Sequence, residues 1–416
     1  MVGAPQLTDI SKYLTAEVLA RAFRVKTGSD DSVRSVEVTR AAAAGEGLIS
    51  AVWRIHVQGD SHKATFVVKA LISNLLLRKS LDCHKYFQRE ALFFCEILPV
   101  LIALQKSLGA KEKLQENFPM CYSCHCDGKN DYILMEDMSE YGCEGMAENP
   151  SLSERDMTLK VLAHLHATSM ALRVKNPDLF RRIAESIPEM YYRETRREYY
   201  SKYLQNAIEI DRVALAEYED PKTSVYYKKF DELSSNDVYS QLQSLTSPDS
   251  SKHNAINHGD AWCPNFLVSK DRCVAVDFQL ARCASPATDL AYFIMSADLC
   301  KTTTEFTEAV QVYHSALSYY LEDMGFKADE VLSYEDLQEE LAKYGKFGVL
   351  ACLTTIALRA SDERCDVLTS ESFEVNYAGA DVIPLEHLWK LKPLVEEEHK
   401  LRLLHVIRTA VDLSLI

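Results

Sequence analysis

His258-Gly259-Asp260 opens a run, Ile256–Gln279, that closes on Asp277-Phe278-Gln279. Between them Phe266-Leu267-Val268-Ser269 reads as a strand, Lys270-Asp271-Arg272 as a tight turn, and Cys273-Val274-Ala275-Val276 as the returning strand. A hairpin brings its two ends together, so Asn265 before the first strand and Asp277 after the second converge. One amide oxygen and one carboxylate suit Mg²⁺, which takes a few hard oxygen ligands and completes its shell with water and substrate phosphates. Asp260 lies one loop away, placed to accept a proton from an attacking hydroxyl. Phosphoryl transfer requires these parts: neutralised phosphate charge and a positioned nucleophile. A lone HGD means little, and an Asp at a strand end is often a turn cap. The reading rests on the joint pattern.

The elements that must hold ATP opposite this hairpin lie earlier in the chain. Residues 51–58, AVWRIHVQ, alternate in polarity with period two, Gly59-Asp60 supplies a turn, and 64–70, ATFVVKA, reads as the return of an antiparallel hairpin. Gly45-Glu46-Gly47-Leu48-Ile49-Ser50 precedes it. A turn with Gly45, Gly47 and Ser50 lets backbone N–H groups approach phosphates, although two glycines before a strand are by themselves an ordinary turn. No G-x-x-x-x-G-K-[ST] run occurs, which excludes the P-loop class. A helix is expected over 80–98 with Pro99 breaking or restarting it, and a buried strand over Tyr132–Met135. Ser151 and Glu154 form a capping box for a helix to about Lys175, ended by Pro177. Further helices are expected over 191–203, 305–324 and 336–360.

Asp260 precedes Asn265 at the spacing of the kinase catalytic loop H-R-D-x-x-x-x-N, with Gly259 in place of the Arg, and Asp277-Phe278-Gln279 stands where kinases have Asp-Phe-Gly. The run resembles the aminoglycoside/choline-kinase branch of the protein-kinase-like fold. More narrowly, HGDAWCPNFL with VDFQLARCASPATDLAYF is similar to the ecdysteroid kinase-like (CHK-kinase-like) family of arthropods, over nearly the whole chain. The resemblance implies an α+β, two-lobed kinase fold: a small antiparallel-sheet lobe, 1–138, and a large, mainly helical lobe, 139–416. It implies ATP and Mg²⁺ as cofactors, Asp260 as base, and Asn265 and Asp277 as metal ligands. Lys69 would contact the α/β-phosphates and pair with an acidic residue of the next helix. Both Glu90 and Glu96 lie on that helix, and the resemblance favours Glu90. Leu134–Met138 matches the hinge, where backbone near Glu136 and Met138 meets adenine. Asp289 is implied to brace the catalytic loop. The bland readings are a snorkelling Lys69 and a solvated Glu136-Asp137 turn.

Few residues separate Asp277 from Pro286, and no A-P-E motif follows. A protein kinase needs a long segment there to hold a peptide, so a small-molecule alcohol is expected and a protein substrate is not. The resemblance suggests an ecdysteroid hydroxyl or a hydroxylated xenobiotic. A choline- or aminoglycoside-type acceptor is the alternative, and a pseudokinase binding module is a second. Met190, Tyr191, Tyr192, Tyr199, Tyr200 and Tyr203 suit a bulky, weakly polar acceptor, with Tyr199 and Tyr203 as probes. Packing into the helical core is their plainer role.

Composition agrees with this class. The chain has 416 residues, 47% hydrophobic, 26% charged, with net charge −15. That acidity disfavours nucleic acid and anionic membrane surfaces. No uninterrupted apolar stretch is long enough to span a bilayer, no secretory signal is visible, and twelve cysteines read as free thiols of a cytoplasmic protein. Cys121, Cys124, His125 and Cys126 are spaced too tightly for a zinc site and read as a Cys-rich strand and turn. His166 falls on an apolar helical stripe as a core residue, and neither it nor His164 is assigned to catalysis.

Overall fold

In the computed structural model the described residues are 5–41, 50–248, 251–297, 301–361, 377 and 379–416. The expected hairpin is present as β2 (Ser50–Gly59) and β3 (Lys63–Leu71). It belongs to a five-stranded antiparallel sheet with β1 (Val33–Arg40), β4 (Cys121–His125) and β5 (Tyr132–Glu136), in the order β1-β2-β3-β5-β4. Period-two alternation divides β3 between two faces. Ala64, Phe66, Val68 and Ala70 are buried in a small core shared with Leu19, Ala22 and Phe23 of helix Ala16–Thr27. Lys69 therefore points to the opposite face, where helix Cys83–Leu92 packs.

That helix continues through a π turn, Phe93–Ile97, into helix Leu98–Ser107. Of the two outcomes expected at Pro99, the restart occurs: Pro99 sits in the first turn of Leu98–Ser107, directly after the π turn, whose last bond runs from Leu98 N–H to Phe93 O.

The large lobe is mainly helical, as expected. Ser151 and Glu154 close a capping box on helix Leu152–Lys175, and Pro177 opens a new helix, Pro177–Ser186. The Tyr-rich helix begins only at Arg197 and runs to Leu215, preceded by a 3₁₀ turn, Glu194–Arg196. The span 336–360 is two helices, Tyr334–Tyr344 and Lys346–Arg359, bent by 48° around Gly345. No single described helix is long and apolar enough to cross a membrane. Two small sheets carry the chemistry-bearing run: β6 (Glu144–Gly145) with β8 (Phe266–Val268) and β9 (Cys273–Ala275), and β7 (Ala255–Asn257) with β10 (Arg282–Ala284). The main core spans both lobes, from Phe87 and Ile133 to Leu162, Phe293 and Leu350.

His164, on the long capped helix, shows how this core limits ionisation. Its ring stacks on Tyr320 at 3.8 Å, and amides of Gln105 and Asn117 lie 2.7 and 2.8 Å from its nitrogens. Gln105 Oε1 is already taken by Leu114 N–H, so the Gln105 amide donates to His164 Nε2 and requires a neutral ring. Burial pushes the imidazole down to about 4 from 6.5. Below the unfolded value the unfolded state binds the extra proton, so stability falls as pH drops from 6.5 to 4. We predict that this group removes about 3 kcal/mol over that window. Urea unfolding at several pH values should show a shallower acid loss in His164→Gln than in the wild type. Equal slopes would contradict the assignment.

Candidate active site

The 258–277 loop is held by its own backbone. Val276 N–H donates to Asn265 O at 3.0 Å, closing the base of the β8–β9 hairpin and setting Asn265 beside Asp277. His258 donates from Nε2 to Val276 O at 2.9 Å, and its Nδ1 accepts from Asp260 N–H at 3.2 Å. These two bonds fix a neutral tautomer, and burial keeps the ring from protonating. Asp289 accepts from His258 N–H at 2.6 Å and Gly259 N–H at 3.0 Å. Burial opposes its ionisation, but the hydrogen bond from His166, 3.4 Å away, and the nearby cationic groups outweigh it. Asp289 thus braces the loop, and His166 stands behind it rather than in the cleft.

Asn265 Nδ2 donates to both the carbonyl and Oδ2 of Asp260, each at 2.9 Å. Its amide oxygen is thereby turned away from Asp260 as an acceptor. Burial, seconded by the Asp277 charge, pushes the Asp260 carboxyl up to about 7, against the pull of the Asn265 bond. Asp277 itself has φ of 68°, in the left-handed region that a short polar residue tolerates.

Across the cleft, Lys69 Nζ lies 2.8 and 2.9 Å from the two oxygens of Glu90 and 3.1 Å from Asp277 Oδ1. Burial works against the ammonium, but the two carboxylates outweigh it and hold it charged. Glu96 is exposed, so the partner on the helix is Glu90. Phe278 stacks on Phe93 at 3.7 Å and meets the His258 ring at 4.4 Å, joining the Asp277 turn to the π turn that follows Glu90.

Ser50 opens β2 and lines the cleft, while Gly45 and Gly47 lie outside the described residues. At the hinge Glu136 N–H donates to Met120 O at 2.8 Å, and Met138 O accepts from Cys143 N–H at 3.2 Å. Met138 begins a 3₁₀ turn, so its own N–H has no partner within that turn. Asp137 is buried, capping that turn through Ser139 N–H at 3.0 Å and pairing with Arg54 at 2.6 Å. It is not a solvated turn residue.

A cavity of about 380 Å³ opens from Asp260, Asn265 and Asp277 into the large lobe. Tyr191, Tyr192, Tyr200 and Tyr203 line it; Tyr199 and Met190 do not. The expectation for Tyr199 is corrected: its ring turns aside and packs 4.0 Å from the Arg196 guanidinium. The cavity also takes Tyr292, Phe347, Trp389 and Arg282, which sequence reasoning did not single out. Arg282 and Tyr292 both lie in the quoted DFQLARCASPATDLAYF run, where an Arg among apolar residues is the one readable signal. Among the described residues, no group of three or more His, Cys, Asp or Glu is arranged to hold a metal ion.

A small antiparallel sheet bearing a Lys–Glu pair, set over a helical lobe that presents an Asp–Asn–Asp loop, defines the protein-kinase-like fold. The chain belongs to the ecdysteroid kinase-like family, whose profile matches residues 44–326. No curated protein matches the sequence. Solved structures similar to it include a choline kinase from Cryptosporidium parvum Iowa II, 10% identical over 92% of this chain and 91% of that one, TM-score 0.43. An ethanolamine kinase from Plasmodium vivax is 13% identical over 92% and 84%, TM-score 0.42. A choline kinase from Streptococcus pneumoniae is 16% identical over 81% and 99%, TM-score 0.36.

Gly259, where protein kinases carry Arg, has φ of 84°, and a Cβ there would sit 1.9 Å from Leu280 O. Gly142, with φ of 70°, has nothing within 4 Å of such a Cβ. Gly259→Ala is therefore predicted to cost more than about 3 kcal/mol, and Gly142→Ala about 1 kcal/mol. Denaturant melts of the two variants test this. Equal losses would show that the loop does not depend on close backbone approach.

Proposed function

We propose that this protein is an ATP-dependent phosphotransferase that phosphorylates a hydroxyl of a small molecule. The observation that carries this reading is the meeting of Lys69, Asp277, Asn265 and Asp260 at the mouth of an aromatic cavity. We take the lobes to divide at Met138, whose N–H is the backbone donor we assign to adenine. Lys69, oriented by Glu90, would hold the α/β-phosphates, and Ser50 lines the same cleft.

The donor set fits a divalent cation. Buried Lys69 faces Glu90 and Asp277, with Asp260 nearby, so carboxylates outnumber the ammonium. Asp277 Oδ1 is buried and makes no hydrogen bond beyond that ionic contact with Lys69. Asp277 and the amide oxygen of Asn265 are the ligands we assign to Mg²⁺. The bound ion would neutralise charge on the β/γ-phosphates. Asp260 would accept the proton of the acceptor hydroxyl as its oxygen attacks the γ-phosphorus and the bond to the β,γ-bridging oxygen breaks, releasing ADP, while Asn265 holds that carboxylate in line. All four groups are in place, which argues against a pseudokinase.

The cavity bears on the acceptor. Of its described lining residues, only Asp260, Asp277 and Arg282 are charged. Aromatic faces alone attract a quaternary ammonium, but among the described lining residues no carboxylate outside the phosphate site is there to hold one, and the cation that lines the cavity, Arg282, is already paired with Glu189 at 3.3 Å. A flat, weakly polar alcohol fits rings with polar tips better. This favours an ecdysteroid or hydroxylated xenobiotic over choline or an aminoglycoside.

The test is ATP turnover against steroids, phenolic glycosides and choline. A bulky neutral alcohol should be turned over and choline should not; efficient turnover of choline alone would overturn the acceptor assignment. On the confirmed acceptor, Asp260→Asn should lose a factor on the order of 10²–10⁴ in turnover while keeping nucleotide affinity. Protonation disables the base, so wild-type turnover should fall as pH drops through about 7. Near-normal turnover in Asp260→Asn would remove it as the base.

A further inference from the structure

Three cysteines stand outside the phosphate cleft and take no part in the chemistry assigned to it. Cys95 lies in the π turn Phe93–Ile97, five residues beyond Glu90, and its side is exposed. Cys121 and Cys124 lie on β4 and are half-buried. Cys95 Sγ is 2.6 Å from Cys124 Sγ and 3.8 Å from Cys121 Sγ. The nearer pair is already close to bonding distance, about 2.05 Å in a disulfide. Among the described residues no such cluster fits a metal ion, so the chemistry open to this pair is that of sulfur.

We propose that Cys95 and Cys124 form a thiol–disulfide modification site that takes a low-molecular-weight disulfide as oxidant. One thiol, as thiolate, attacks a sulfur of the oxidant, and a mixed disulfide forms as the first small thiol leaves. The second protein thiol then attacks the protein sulfur of that mixed disulfide, expelling the second small thiol. Two cysteine thiols are oxidised, one oxidant disulfide is reduced to two thiols, and both protons end on those leaving thiols.

The environment shapes the rates. Thiol–thiol hydrogen bonding with Cys121, and burial, push the Cys95 thiol up to about 12. Thiolate is scarce at neutral pH, so formation is slow, and a weakly acidic thiol is a poor leaving group, so the bond once formed resists reduction.

The placement gives the bond a consequence. Cys95 rides on the continuous helical rod that carries Glu90, and β4 pairs with β5, which pairs with β3 and its Lys69. A Cys95–Cys124 bond ties the Glu90 helix covalently to the sheet that holds Lys69. Cys121, 3.8 Å from Cys95 and on the same strand as Cys124, is the competing partner.

The experiment oxidises the full-length protein with excess oxidised glutathione at mildly alkaline pH. Intact mass and peptide mapping follow the bond, and amide hydrogen exchange follows helix Cys83–Leu92. The expected result is a mass decrease of two hydrogens, a Cys95–Cys124 cross-linked peptide, and exchange in that helix slowed at least tenfold. Cys95→Ser should abolish the cross-link and the slowing, and Cys121→Ser should leave both. A stable glutathione adduct on Cys95 with no cross-link, or a bond from Cys95 to Cys121, would overturn the site. A Cys95–Cys124 bond with unchanged exchange would overturn its coupling to the Glu90 helix.

Discussion

Lys69 is the point on which the two lobes agree. A single buried ammonium contacts Glu90 from the small-lobe helix and Asp277 from the large-lobe hairpin. Taking three ionised groups out of water is costly unless their geometry compensates. That cost falls only when the β3 register, the helix position and the Asp277 turn are all correct at once. The remaining architecture serves this condition. Helix Ala16–Thr27 covers the back of β3 and commits Lys69 to the cleft, while the hairpin closed by Val276 N–H fixes Asp277.

Apolar contacts run beside the ionic ones. Phe278 stacks on Phe93 and touches His258, so the turn that aims Asp277 is packed against the rod that bears Glu90. His258 in turn reads the position of Val276 and of Asp260 through its two nitrogens. Asp260, the Asp277 turn and the Lys69–Glu90 pair are therefore one packed unit. A displacement of any member is felt at the others, because close-packed interiors transmit strain.

The parts legible in the sequence are those whose partners lie close along the chain. Asp260, Asn265 and Asp277 share one loop and one hairpin, and turn chemistry at Lys270–Arg272 was enough to bring them together. The β2–β3 hairpin was readable because its strands alternate toward a covered face. β1 was not: a register shift between Val33 and Ser35 interrupts its alternation, and only Val38 among its residues is buried. The aromatic cavity was only half visible. A Tyr-rich helix announces aromatic surface, but whether Tyr199 or Tyr203 faces the cavity depends on what packs around the helix. The facing groups come from distant segments, among them Tyr292, Phe347 and Trp389. Pro99 left a break and a restart open, because proline ends one helix and is tolerated in the first turn of the next; the π turn before it carries the chain into the restart.

The central claim is that Asp277 closes a cation-dependent nucleotide site together with Lys69. Calorimetric titration of ATP into the wild type and Asp277→Asn, each with and without Mg²⁺, addresses it most directly. The account predicts that Mg²⁺ tightens ATP binding to the wild type, and that Asp277→Asn loses this gain while its metal-free affinity changes little. An equal Mg²⁺ effect in both proteins would contradict it.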